Sequence, residues 1–388
     1  MQSSLVYMDH GATTPVREEV LDAMLPFLKN QFGNPSSPHF LGREARRAVE
    51  EAREKTAQAL GANPEEIYFT SGGTESNNLA LRGVAKNRAA GGHIITSSIE
   101  HHAVLDVCRD LENEGHRVSY LPVDQYGRVD PEKVREAITD DTFIISIMAA
   151  NNEIGTLQPI IEIGSLAREN GILFHTDAVQ VVGQLPVDLN NLNVDFLSLA
   201  AHKFNGPKGI GALYVQEGIK IDPLYRGGSQ EEKLRPGTEN VSGIVGLGKA
   251  LELSVSEIPE KKKHLESLRD RLVEGFLKID DVSLNGHPEE RLPGNINVSF
   301  KHIEGESILL TLDMEGIAAS SGSACSSGSL EPSHVLSAIG LDPSIAHGSM
   351  RFSLGRGNSD ADVDLVLKKV PPIVERLRNI SPTYHSRQ

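Results

Sequence analysis

Cysteine is scarce in this chain. Its 388 residues hold two, Cys108 and Cys325, too few for a disulfide framework or a cysteine-rich zinc cluster. Positive charge is also in deficit: 38 Lys and Arg against 53 Asp and Glu give a formal charge of −15. That balance argues against nucleic acid or an anionic membrane as the main partner. No run approaches the ~18 apolar residues of a membrane span. The opening MQSSLVYMDHGATTP lacks the basic start and long apolar core of a signal peptide. Low-complexity tracts and internal repeats are absent too. The expectation is a soluble, cytoplasmic protein in which a thiol stays reduced and available.

What remains is an ordinary globular composition, 39% apolar and 23% charged, on a chain longer than a usual single domain. Expected strands at 67–69, 92–97, 117–121, 142–147, 172–175, 194–199 and 211–215 have helical stretches between most of them. This spacing predicts an α/β fold, a mostly parallel sheet between helices. Helices are expected over 18–30, with a kink or early end at Pro26, and over 43–60. A long charged helix is expected from about Lys249 to Leu277, broken near Pro259. Short strands at 293–300 and 317–319, helices near 304–314 and 333–339, and a final helix after Asp360 describe a smaller α+β unit. The expected division is a large domain of 13–257 and a small one of 258–388 joined by residues 1–12.

The chemistry concentrates between Gly171 and Gly211. One apolar run ends in His175-Thr176-Asp177, the next in His202-Lys203 and a Gly/Pro-rich turn. Parallel strands end along one crevice, so Asp177 and Lys203 can face one ligand from two sides. The pair suits pyridoxal phosphate, with lysine as Schiff base and aspartate holding the pyridine nitrogen protonated; a strand-end salt bridge is the plain alternative.

Thr70-Ser71-Gly72-Gly73-Thr74 follows a strand and opens a helix, as a phosphate cradle or simply a capped helix does. His101 and His102 stand where a strand meets a helix, where His101 can stack on a flat cofactor and act as a catalytic acid/base, or serve structure alone. Asn151 and Asn152 end another strand in neutral polar groups, which suit a phenolic oxygen or a turn. Cys325 lies in a loop of small residues, ASSGSACSSGS, and is read as a nucleophile; Cys108, inside a helical pattern, is read as core. Arg351, on a strand, can hold a carboxylate bidentately or pair with a surface acid.

Taken in order, MDHGATTP, GNPSSPH, TSGGTESNN, EHHAV, NNEIG, HTDAVQ, AHKFNGPKG, RPGTEN and SSGSACSSGSLEPSHVL resemble the cysteine desulfurases of the NifS/IscS type. These belong to the class V aminotransferase group of pyridoxal-phosphate enzymes, with fold type I. The resemblance implies a seven-stranded-type sheet in the large domain. It implies that Lys203 carries the cofactor, Asp177 pairs with its ring nitrogen, and His101 stacks on the ring. Asn152 and Gln180 would reach the phenolic oxygen, and Gly73, Thr74 and His202 the phosphate. Thr238 would reach the phosphate of the other subunit, which implies a homodimer with shared sites. Arg351, with Asn34 and Asn152, would hold the L-cysteine substrate.

Cys325 would take its sulfur as a persulfide, for an iron–sulfur scaffold protein or a tRNA-thiolation enzyme. No metal is required, although the persulfide makes Cys325 a candidate transient iron–sulfur ligand. Two positions depart from the pattern: Ala200 replaces a phosphate-contacting serine, a loss of ~1.5–3 kcal/mol where nothing compensates, and Asn205 replaces an aromatic residue or histidine. A selenocysteine lyase or an aminotransferase would share the lysine site without needing Cys325. A non-catalytic scaffold is the more distant alternative.

Overall fold

The computed structural model describes residues 5–88, 91–321, 332–381 and 384. The chain starts with β1 (Val6–Tyr7), α1 (Glu18–Lys29) and α2 (Phe40–Leu60). An alternating stretch follows: β2 (Ile67–Thr70), α3 (Gly73–Ala85), β3 (His93–Ser97), α4 (His102–Asn113), β4 (Arg117–Leu121) and α5 (Pro131–Ala137). It continues through β5 (Thr142–Ser146), α6 (Ile160–Glu169), β6 (Leu173–Asp177), β7 (Phe196–Ala200) and β8 (Gly211–Val215). Two long helices, α7 (Val241–Ser256) and α8 (Ile258–Phe276), lead to β9 (Val282–Leu284), β10 (Asn295–Phe300) and α9 (Gly305–Met314). The rest comprises β11 (Ile317–Ala318), β12 (Ser320–Ser321), α10 (His334–Ala338), α11 (Pro343–Ala346), β13 (Ser349–Ser353) and α12 (Asp360–Ile380).

Seven strands form the main sheet in the order β2-β8-β7-β6-β5-β3-β4. β8 is antiparallel to both neighbours and every other pair is parallel, so the sheet is mostly parallel. Adjacent strand residues alternate between two apolar layers. Ile95, Ile145 and Leu197 pack with α2, α6 and α7 residues such as Val49, Leu166 and Leu247. Ile94, Ile144 and Phe196 pack with Leu81 and Val84 of α3 and Val107 and Leu111 of α4. Helices therefore cover both faces, which is why β3, β5, β7 and β8 are buried throughout.

A second sheet runs β12-β13-β10-β9, backed by α8 and α12. Phe276, Phe300 and Phe352 meet at its centre, with ring centroids 5.0–6.0 Å apart around Phe276. Each such side chain contributes about 1.5–3 kcal/mol by leaving water. β1 pairs in parallel with β11, so the first described residues run beside this second unit.

Local chemistry explains where the helices begin and end. The His39 side chain accepts from Gly42 N and starts α2 at Phe40, earlier than the expected 43. Gly61, at φ 72°, closes it. α1 does not stop at Pro26: the proline stands in the last turn, where its missing N–H forfeits a single bond. The helix expected from Lys249 starts at Val241 instead, capped by Asn240, and meets α8 at Glu257 just before Pro259. Its glycines are packing residues, since a β-carbon on Gly248 would lie 3.0 Å from Ala52 Cα of α2. Among the described residues no helix is long and apolar enough to cross a membrane.

Candidate active site

β6 ends in Asp177, and β7 ends in Ala200 just before the short turn that carries Lys203. Both ends open on a cavity of about 310 Å³. The Asp177 carboxylate accepts from Asn77 Nδ2 at 2.6 Å and from Val179 N at 3.0 Å. Lys203 Nζ donates to the carbonyl oxygens of Gly11 at 2.6 Å and Ala12 at 2.9 Å, and Gln180 Nε2 donates to Gly11 O at 3.1 Å.

The start of α3 forms another wall. A β-carbon on Gly73 would fall 2.6 Å from Val179 Cγ2, so glycine is what lets the helix start approach the strand-end loop. Gly72, at φ 154°, faces open space, with nothing within 4 Å of where its β-carbon would be. The first N–H groups of a helix have no intrahelical partner, so Gly73 and Thr74 present donors and a positive dipole end to the cavity they line.

Two histidines flank this wall. His101 caps α4, its Nδ1 accepting from Ala103 N at 3.1 Å, which puts the hydrogen of the neutral ring on Nε2. Burial lowers its pKa; Lys203 and His102 push the same way while Asp177 opposes them. His202 lies 3.2 Å from the Thr13 hydroxyl, and burial, with Lys203 and Lys208 nearby, brings it down to about 4. Both imidazoles are therefore neutral at pH 7.

Arg351, on β13, closes the opposite side and is 2% exposed. Its Nη1 donates to Asn152 O at 2.9 Å and its Nη2 to Asp9 Oδ1 at 2.8 Å. Nε lines up with no partner among the described residues, leaving a buried donor ready for an anion.

Behind the cavity sit two buried carboxyls. Glu100 Oε1 accepts from Ser97 Oγ at 2.6 Å and Met148 N at 3.0 Å, and burial pushes the group up to about 8. Glu153 accepts from the Ser333 hydroxyl, and burial pushes it up to about 7 against the pull of that bond and of Arg351. His334 Nε2 donates to Glu100 O at 3.0 Å, so both contacts tie the start of α10 to the cavity's back wall.

Gly73, Thr74, His101, Asn152, Asp177, Gln180, Ala200, His202, Lys203 and Arg351 all line the cavity. Asn34 and Thr238 do not: Asn34 Oδ1 accepts from Ser36 N at 2.9 Å, and Thr238 is exposed. Cys325 lies outside the described residues; the segment before it ends in β12, where Ser320 pairs with Arg351. Cys108 is buried in α4, and burial pushes its thiol up to about 12. Asn205 has a structural reason: at φ 65° it occupies a left-handed conformation that asparagine tolerates, and its amide reaches Pro15 O at 2.9 Å.

Sequence reasoning assigned no individual role to Gly11, Ala12, Asn77, Met148, Ala150 and Val179, although all but Met148 and Ala150 stand inside its motifs. For Asn77 a signal existed, since it stands four residues after Gly73 and so on the same helix face.

This donor set fits pyridoxal phosphate. The open helix start and His202 suit a phosphate, and Asp177 a ring nitrogen. The amides of Asn152 and Gln180 suit a phenolic oxygen, and Lys203 an aldehyde carbon.

The Aminotransferase class-V family matches residues 6–366. Cysteine desulfurase IscS of Methanosarcina thermophila is 61% identical over 382 residues, covering 98% of this chain and 95% of that one. The solved structure of a NifS-like protein superposes with a TM-score of 0.91 at 42% identity, covering 96% of this chain and 100% of the other. That of SspA in complex with cysteine gives 0.81 at 42% identity, covering 90% and 98%. The chain belongs to the class-V aminotransferase family, in its NifS/IscS-type cysteine desulfurase group.

Proposed function

We propose that this chain is a pyridoxal-phosphate-dependent cysteine desulfurase, which moves sulfur from L-cysteine onto Cys325 and releases L-alanine. The observation that carries this reading is one amine, Lys203, and one carboxylate, Asp177, at neighbouring strand ends on a single cavity, with the buried Arg351 on its far wall. The relative at 61% identity is named a cysteine desulfurase, and the solved relative SspA is named as holding cysteine.

Bound pyridoxal phosphate supplies an electron sink for the carbanion left when the substrate Cα loses its proton. Gly73, Thr74 and His202 would hold its phosphate, and Asp177 would keep the proton on its ring nitrogen. Asn152 and Gln180 would donate to its phenolic oxygen, and His101 would stack against its ring. Arg351 takes the substrate carboxylate on its Nε–H and so orients the Cα–H bond. The Lys203 amine removes the Cα proton as general base. The Gly11 and Ala12 carbonyls accept from Nζ and stabilise its ammonium form.

The Cys325 thiolate attacks the substrate sulfur. An S–S bond forms as the Cβ–Sγ bond breaks; Cβ keeps the electron pair and takes a proton to become a methyl group, and the Lys203 ammonium returns a proton to Cα, completing alanine. The persulfide then serves an acceptor, an iron–sulfur scaffold protein or a tRNA-thiolation enzyme. The same proposal includes a cytoplasmic homodimer in which Thr238 serves the partner's phosphate and Asn34 assists Arg351. It also includes a division of the chain into 13–257 and the remainder.

Intact mass of the cofactor-loaded protein after brief L-cysteine treatment tests this. One added sulfur is expected, removed by reductant and absent from Lys203→Ala and Cys325→Ala. No gain with the cofactor demonstrably bound would overturn the reading and favour an aminotransferase.

A further inference from the structure

We propose that Asn77 is a positioning residue for Asp177: its side-chain amide locks the carboxylate that faces the cofactor's ring nitrogen. The proposal rests on the functional reading above. Asn77 Nδ2 donates to Asp177 Oδ2 at 2.6 Å, and Val179 N donates to Oδ1 at 3.0 Å. Each oxygen is thus held by one N–H group, and each keeps a lone pair for a ligand. With both oxygens tied, the carboxylate cannot turn about its Cβ–Cγ bond. A hydrogen bond from Asp177 to a ring nitrogen would then form without reorganisation of the acceptor.

The burial of Asn77 argues that this bond is more than packing. The side chain is 1% exposed, on a helix whose other buried positions include Leu79, Ala80, Leu81 and Val84. A carboxylate only accepts, so the amide must turn its NH2 group to Asp177. That orientation leaves Asn77 Oδ1 buried without a partner among the described residues. An aliphatic residue would avoid the unsatisfied carbonyl and fill the same space. The fold alone gives no reason to keep an amide here; a fixed acceptor at the cavity does.

Its place on the helix supports the same conclusion. Gly73 and Thr74 open α3 and line the cavity, and Asn77 lines it one turn further in, about 6 Å along the axis. One rigid helix therefore sets both the phosphate end of the site and the orientation of Asp177. Beneath Asp177 on the same strand face, His175 is neutral, lowered to about 4 by burial, and bound to the hydroxyls of Ser146 at 2.8 Å and Ser198 at 3.1 Å. Among the described residues, His175 on the same strand and Glu100 and His101 before α4 interact electrostatically with Asp177, and Lys203, His202 and Arg351 line the same cavity. None of them is on α3; Asn77 is that helix's contribution.

Two variants test the assignment. Asn77→Leu keeps the volume without the donor. Asn77→Asp keeps the shape but sets a second carboxylate against Asp177. The readouts are the affinity of the apoprotein for pyridoxal phosphate and the pH dependence of the bound cofactor's absorption band. Asn77→Leu is expected to weaken binding at least tenfold and to shift the pH profile of the band, with apoprotein melting no lower than wild type.

In Asn77→Asp the loss is expected to grow with pH, because two adjoining carboxylates hold one proton between them at low pH and repel when both ionise. Unchanged affinity and profile in Asn77→Leu would overturn the proposal. So would a loss in Asn77→Asp that is equal at every pH, which is what a packing defect alone produces. If Asn77→Leu fails to fold, the pH dependence of Asn77→Asp decides. Failure of the functional reading is distinguishable, because wild-type protein would then either bind no pyridoxal phosphate or bind it and gain no sulfur from L-cysteine, whereas this test compares cofactor binding between wild type and variant.

Discussion

Replacing Glu100 with glutamine should stabilise the apoprotein at alkaline pH and have little pH-linked effect at pH 5. Burial raises the Glu100 carboxyl from 4.5 to about 8, helped slightly by Asp177 and opposed by the bonds from Ser97 and Met148. The unfolded chain releases this proton near pH 4.5, whereas the folded protein holds it until about pH 8. Between those values the folded state binds more protons than the unfolded one, so stability falls as pH rises through the window. At 1.36 kcal/mol per pH unit the ceiling is about 5 kcal/mol, and hydration of the opened site lowers the expectation to about 2–5 kcal/mol.

Glutamine keeps an oxygen for the Ser97 and Met148 donors and places its NH2 where Oε2 has no partner among the described residues. Any cost of that buried amide is independent of pH and cancels when two pH values are compared. With an unfolding entropy of about 2.1 cal/mol/K per residue, the variant should gain roughly 3–6 °C on wild type between pH 5 and pH 8.5. Thermal unfolding of both apoproteins by circular dichroism measures it. Parallel melting curves across that range would refute the buried, protonated carboxyl.

Glu231 accepts from both terminal nitrogens of Arg53, at 3.0 and 2.7 Å, and from Phe69 N at 2.8 Å, one residue before the phosphate-side loop. Glu231→Ala leaves the Arg53 guanidinium, whose side chain is 12% exposed, with only Glu50 at 3.1 Å and Ile67 O as hydrogen-bond partners among the described residues, at an expected cost of about 2–3 kcal/mol in urea unfolding; an unchanged midpoint would refute the pairing. Ala200→Ser restores a hydroxyl to the cavity wall and should tighten pyridoxal phosphate binding about tenfold or more, the value of a hydrogen bond to a charged group. Equal affinities in a titration of the two apoproteins would show that Ala200 does not face the phosphate.

The elements most legible in the sequence were those with a local period. The central strands of the main sheet are buried throughout because helices cover both faces, whereas the edge strand β4 carries an exposed Arg117, and the strand ends at Asp177 and Lys203 were readable because apolar runs stop there. Helix α7 starts before the expected Lys249 because its early glycines serve contacts: Gly246 admits Met24 of α1, Gly248 admits Ala52 of α2, and Gly243 leaves room for the Asn240 cap. Pro26 misled in the opposite sense, since a proline in a last turn removes too little to end a helix. The motifs named most of the cavity's side chains. Asn77 escaped because its partner, Asp177, stands 100 residues away.

Residues 9–14 stand inside the motif MDHGATTP, but the role of the wall they build is the least legible part of the site, and the reason is physical. Gly11 N donates to Ser353 Oγ at 2.7 Å, and Gly11 O accepts from both Lys203 and Gln180. Asp9 holds Arg351, while the Thr14 hydroxyl donates to His202 O at 2.8 Å. Most of these contacts engage backbone groups, which every residue possesses and no side-chain pattern advertises. Their partners lie up to 342 residues along the chain. A short strap thus joins the strand carrying Arg351 to the turn carrying Lys203. The distance between the group that would grip the substrate and the amine that would take its proton depends on main-chain bonds that only the fold reveals.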